Sequence, residues 1–101
     1  VGLADNWLRH VQDVHSKHDA RVAVMPDTPQ RVDRLCELNV IEQVANVCQT
    51  TIVQDAWEHG KELAVHGWVY GLKDGLVRDL GSTVTKLGEA ASAYDAALAA
   101  L

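Results

Sequence analysis

Glu62-Leu63-Ala64-Val65-His66-Gly67-Trp68-Val69-Tyr70 is the stretch on which the fold turns. Upstream of it the apolar residues recur with a helical period; here the period becomes two, which is the pattern of a strand. Leu63, Val65, Gly67 and Val69 share one side, and Ala64, His66, Trp68 and Tyr70 share the other. Both sides carry apolar or aromatic groups, so the strand is expected to be covered on both faces. Gly67 predicts a close backbone approach or a bulge. Lys73-Asp74-Gly75 is a turn signal, and Leu76, Val77 and Leu80 form a second short strand that Gly81 ends. A strand hairpin is therefore expected over 62–80.

Working outward, Thr50 or Thr51 caps a short helix over 52–59, with Ile52, Val53, Ala56 and Trp57 facing inward and Gly60 stopping it. Before it, Thr28 as cap and Pro29 at the first helical position open a helix over 30–48. Its apolar face is broad: Val32, Leu35, Leu38, Ile41, Val44, Ala45 and Cys48, widened by Val40 and Val47. Such width predicts burial on more than one side, with Arg31, Arg34 and Glu42 left in water. Asn39 and Asn46 share a face and, if buried, need partners. At the N-terminus Leu3, Trp7, Val11, Val14 and His18 form the stripe of an amphipathic helix over 3–18, followed by a loop over 19–29. Downstream, an alanine-rich helix is expected over 84–101, with Leu87, Ala91, Tyr94, Leu98 and Leu101 as its stripe.

These elements make an α/β chain with an inconsistency in it. A doubly covered strand wants parallel neighbours, and no βαβ unit is present to supply them. Either a partner completes the sheet or the strands lie N-terminal to Val1. The chain begins with Val rather than Met, which points to processing, cleavage or truncation.

With 101 residues the chain is one domain or a piece of one, and 48% hydrophobic against 23% charged residues argues against disorder. The net charge of -5 lacks the basic footprint of a nucleic-acid binder. No apolar run is long enough to span a membrane, and no targeting signal is visible, so a cytoplasmic address is the default. Cys36 and Cys48 lie about 18 Å apart if one helix carries both, beyond the reach of a disulfide. Both are read as reduced and buried.

Little local chemistry emerges. His15 and His18 could share a metal with Asp19, given a further ligand from another chain, but no HExxH pattern supports them and an ordinary helix end is the simpler reading. His66, beside Trp68 and Tyr70, reads as a satisfied histidine in a packed interface; no adjacent nucleophile requires it as a base. Phosphate-binding glycine motifs, a nucleophile elbow and an embedded carboxylate pair are absent.

Longer runs carry more. Leu35-Cys36-Glu37-Leu38-Asn39-Val40-Ile41-Glu42-Gln43-Val44 resembles the long helix after the zinc site of bacterial-type β-class carbonic anhydrases. His66-Gly67-Trp68-Val69-Tyr70-Gly71, followed by Asp74-Gly75-Leu76-Val77-Arg78-Asp79-Leu80, resembles that family's last core strand and its hairpin partner. Asn6-Trp7-Leu8, within Leu3 to Asp13, resembles the helix that follows the zinc-binding region. The resemblance covers about residues 1–80; the alanine-rich tail matches loosely.

The resemblance implies an enzyme that interconverts carbon dioxide and bicarbonate on a zinc ion held by two cysteines and a histidine. Zinc brings the pKa of its bound water down to about 7. The family's ligands come from a C-x-D-x-R motif and an H-x-x-C motif, and neither occurs in this sequence. No catalytic residue and no metal ligand is therefore assigned here, and the chain alone is expected to bind no zinc and to be inactive. It is expected to be the C-terminal portion of the fold, helices packed on a sheet whose parallel core strands are largely missing. Its implied partners are the N-terminal zinc-binding half, on the same or a separate polypeptide, and further copies in a homo-oligomer. Tyr70 matches a tyrosine that in some members helps hold a non-catalytic bicarbonate. Trp68, His66, Leu63 and Val65 are expected to pack in the sheet and interface. The alternative is a non-catalytic oligomerisation or interaction module derived from a carbonic anhydrase.

Overall fold

The computed structural model describes the backbone of residues 2–101 and the side chains of residues 8–101. In chain order the elements are α1 (Gly2–Lys17), α2 (Asp19–Ala23), α3 (Thr28–Cys48), α4 (Thr51–Glu58), β1 (Val65–Tyr70), β2 (Val77–Val84) and α5 (Ala90–Ala99). The chain divides into two compact units, 1–39 and 40–101.

In the first unit, the α1 stripe buries Val14 and His18 and half-buries Val11; Leu3 and Trp7 lie outside the described side chains. The loop expected over 19–29 is only partly a loop. Asp19–Ala23 is helical, with the Arg21 and Val22 N–H groups both donating to the His18 carbonyl. Ala20, Arg21 and Ala23 favour a helix, neither Gly nor Pro interrupts them, and Val22 is buried. α3 starts two residues earlier than expected because its cap is Asp27, not Thr28: Asp27 Oδ1 accepts the Gln30 N–H at 2.9 Å.

The α3 face is narrower than its sequence pattern. Leu38, Ile41, Val44 and Cys48 are buried, whereas Val32 and Val47 are exposed. Two acids of α3, Glu37 and Glu42, are covered, although Glu42 is expected in water. Glu37 is buried beside Arg34, itself half-buried, at 3.7 Å, and Glu42 accepts a hydrogen bond from the Tyr94 hydroxyl of α5. Asn46 is exposed, while the half-buried Asn39 keeps an unpartnered Oδ1.

The second unit is built on the hairpin. β1 and β2 pair antiparallel, from Val65 with Val84 to Tyr70 with Val77. The register shifts after Gly67: Gly67 faces Ser82, but Trp68 faces Asp79, leaving Leu80 and Gly81 as extra residues of β2. Gly81 has φ +75° and donates its N–H to Asp79 Oδ1 at 2.8 Å. Gly81 thus makes a bulge rather than the expected stop, and β2 continues to Val84, which is buried. The last helix accordingly starts at Ala90, not 84. Of the expected stripe Tyr94, Leu98 and Leu101 pack inward together with Ala90, Ala93 and Ala97, whereas Leu87, which precedes the helix, and Ala91 are exposed.

Two apolar clusters hold this unit. Val44 and Cys48 of α3, Val53 and Trp57 of α4 and Val84 meet Leu63, Val65, Ala90 and Ala93. Ile41, Leu80 and Ala97 meet Val40, Val69, Tyr94, Leu98 and Leu101. Ile52, expected inward, is 83% exposed. After α4 the chain reverses at Gly60 (φ +70°): the Gly60 N–H donates to the Trp57 carbonyl at 3.0 Å and the Lys61 N–H to the Ala56 carbonyl at 2.9 Å. This paired termination needs a left-handed residue, which glycine adopts without strain. The Trp57 indole then donates to the Leu63 carbonyl at 2.9 Å and sets the approach to β1.

Candidate functional site

β1 positions Val65, His66, Gly67, Trp68, Val69 and Tyr70, and Leu63 lies just before it. Val65, Gly67 and Val69 turn toward the helices. At Gly67 the approach is so close that a Cβ would lie 3.1 Å from methyl carbons of Val40 and Val44 and 3.2 Å from Ser82 Cβ. Leu63 and Val65 pack against the cluster around Trp57.

The alternate residues point the other way. His66, Trp68 and Tyr70 are all exposed, Trp68 at 55% and Tyr70 at 59%. The expectation of a strand covered on both faces is therefore not met among the described residues: the helices of the second unit pack on one face only. His66 and Trp68 stack with ring centroids 5.5 Å apart, and His66 Nδ1 lies 3.0 Å from Thr83 Oγ1 across the pair. These contacts hold two rings in a fixed orientation on an open surface. Tyr70 ends the row above the turn.

The turn is itself ordered. Asp74 Oδ1 accepts the Leu76 N–H at 3.0 Å, the Gly71 N–H donates to the Leu76 carbonyl at 2.9 Å, and Gly75 has φ +70°. Val69, Gly71, Asp74, Leu76, Val77 and Arg78 line a shallow hollow of about 350 Å³ beside it.

Among the described residues the histidines do not form a metal site. His15 Nε2 is 3.6 Å from Asp19 Oδ1, but His18 is buried with Nδ1 3.4 Å from an Arg21 nitrogen. His59 Nδ1 lies 2.7 Å from the Asp55 carbonyl at the end of α4. Among the described residues no three His, Cys, Asp or Glu side chains converge on a point that could hold a metal. The described residues do not fit a zinc ion. Both cysteines are free thiols, but only Cys48 is buried, and burial raises its pKa; Cys36, expected to be buried, is exposed. The Glu42–Tyr94 pair, 52 residues apart, carried no sequence signal. Among the described residues no helix is long and apolar enough to cross a membrane.

The carbonic anhydrase family matches residues 1–77. A carbonic anhydrase from Emericella nidulans is 42% identical over 80 residues, which is 79% of this chain and 35% of that protein. Carbonic anhydrase 1 of Escherichia coli O157:H7 is 33% identical over 72 residues, 71% of this chain and 32% of the relative. A carbonic anhydrase of Pseudomonas aeruginosa is 34% identical over 71 residues, 70% and 31%. The chain thus spans about a third of the length of these relatives. Among solved structures, a Coccomyxa β-carbonic anhydrase in complex with acetazolamide has a TM-score of 0.77 at 36% identity, over 91% of this chain and 41% of that one. Its match in sequence along three quarters of its length, and in fold along nearly all of it, places the chain in the β-class carbonic anhydrase family.

Proposed function

We propose that these 101 residues are the structural portion of a zinc-dependent enzyme that interconverts carbon dioxide and bicarbonate. In this reading they bind no zinc alone, and activity requires the zinc-binding segments on the same or a separate polypeptide. One observation carries the proposal: the family match runs over residues 1–77, yet the sequence holds neither C-x-D-x-R nor H-x-x-C, and the described His, Cys, Asp and Glu side chains do not converge. The outward row of His66, Trp68 and Tyr70 supports a further part of the reading, in which the zinc-binding portion or another copy covers that face. Tyr70 then becomes part of a non-catalytic bicarbonate pocket completed by that portion. Two free thiols suit a reducing, cytoplasmic setting.

The test is native mass spectrometry with metal analysis on the protein as isolated, joined to a carbon dioxide hydration assay on the same material. The expected result is a complex with about one zinc per site, a zinc-binding segment of the family type, and hydration activity. Metal-free assemblies of 11.0 kDa chains without activity would overturn the proposal. The chain would then be an interaction module whose family label describes its ancestry.

A further inference from the structure

The first unit holds a hollow that the functional reading above does not use. His15 of α1, Asp19, Val22 and Ala23 of α2, and Thr28, Arg31, Val32 and Leu35 of α3 line an open, shallow hollow of about 360 Å³. That is near the lower end of the range of about 300–1,000 Å³ for small-molecule sites. Thr28, Arg31, Val32 and Leu35 follow the three-and-four spacing of one helix face, so α3 builds a whole wall. The lining is mainly apolar. Val22 is buried, while Val32 stands 53% exposed at the opening.

One cation at the rim is held in place without being neutralised. Arg31 donates its Nε–H to the Met25 carbonyl at 3.0 Å, and its backbone N–H donates to the Asp27 carbonyl at 3.0 Å. The first of these bonds orients the guanidinium, while its two Nη groups have no acceptor among the described residues. A guanidinium with both Nη groups available presents parallel donors that match a carboxylate. The one acid of the rim, Asp19, is paired with His15 rather than with Arg31.

We infer that this hollow binds a small monocarboxylate with a short apolar body. The carboxylate lies on the Nη groups of Arg31, and the body lies over Val22, Ala23, Val32 and Leu35. A dianion such as phosphate suits the site less well: a single arginine faces it, Asp19 repels it, and the apolar lining offers it nothing. A neutral amide of the same shape offers Arg31 one uncharged acceptor oxygen in place of the two charged oxygens of a carboxylate.

Titration of the full chain, as isolated, with benzoate, benzamide and inorganic phosphate, followed by ligand-observed and amide NMR, tests the inference. Benzoate is expected to bind saturably, with shifts confined to residues around Val22, Arg31 and Leu35. Benzamide and phosphate are expected to bind about tenfold or more weakly, as is benzoate to Arg31→Gln. Arg31→Gln changes an exposed side chain and keeps a donor for Met25, and its amide spectrum reports directly whether it is folded. Arg31→Lys, which retains the charge but loses the fork, is expected to fall between the two. Equal binding of benzoate and benzamide, tighter binding of phosphate, unchanged affinity in a folded Arg31→Gln, or no saturable binding of benzoate would each overturn the inference. None of these outcomes depends on zinc or on hydration activity.

Discussion

The two faces of β1 come from one run of alternating residues, yet they have opposite fates. Val65, Gly67 and Val69 meet three helices, and the fit is close enough that Gly67 cannot accept a methyl group without its neighbours moving. His66, Trp68 and Tyr70 are as rich in apolar surface and stand in water. Hydrophobic content therefore did not choose the inner face. The choice follows from which side α3, α4 and α5 can reach, and from small groups at Gly67 and Ser82 that let α3 come close. Exposed aromatic surface of this kind on a sheet is uncommon without a use.

Substitutions in the two faces should separate sharply. Trp57→Ala removes the largest side chain of the inner cluster together with its bond to the Leu63 carbonyl, and should cost about 3–5 kcal/mol of stability. Chemical denaturation of the isolated protein would measure it, and a loss below 1 kcal/mol would mean that Trp57 is not part of the core. Gly67→Ala should cost about 1–3 kcal/mol by overpacking against Val40 and Val44. A neutral result in the same denaturation experiment would show that α3 can move away from the sheet freely. Tyr94→Phe leaves a buried carboxylate on Glu42 short of a donor and should cost about 1–3 kcal/mol.

The outer face sharpens the comparison by its silence. Trp68→Ala should change the stability of the chain by no more than about 0.5 kcal/mol. Where the face is covered by the zinc-binding portion, the same change should weaken that association, which size-exclusion or native mass measurements would detect. A large loss of stability without any effect on assembly would reverse the roles assigned to the two faces.

The cysteines of α3 give the mildest contrast. Cys36 should react at once with a thiol reagent in the native protein, and Cys48 only as it unfolds. Burial disfavours the Cys48 thiolate and raises its folded pKa above the unfolded value. The folded chain then holds that proton longer, so stability is retained below the ordinary thiol range and declines as pH rises through it. A denaturation midpoint that increases across that range would contradict this sign.

Several of these features were legible in the residues. The change of period at Glu62 placed the hairpin, the Lys73-Asp74-Gly75 run placed its turn, and Gly60 placed the end of α4, because each rests on local backbone preference. The family resemblance also rested on contiguous runs. Other features were not legible. Gly81 read as a stop and proved to be a bulge, since only the partner strand decides whether a left-handed residue ends pairing or absorbs an extra one. Glu42 and Arg31 both read as wet helix positions. Tyr94, which covers one of them, and the Met25 carbonyl, which orients the other, lie in segments whose approach no local pattern encodes.

The sequence by itself determined the order of the main helices and the hairpin, the family, and the absence of both zinc-binding motifs, since these depend on residue identity and short-range order. The tertiary structure alone decided which face of β1 is covered, which acid is buried and which arginine keeps free donors. Those outcomes depend on groups far apart in the chain meeting at distances of a few ångströms, where packing and desolvation, rather than residue type, set the energy.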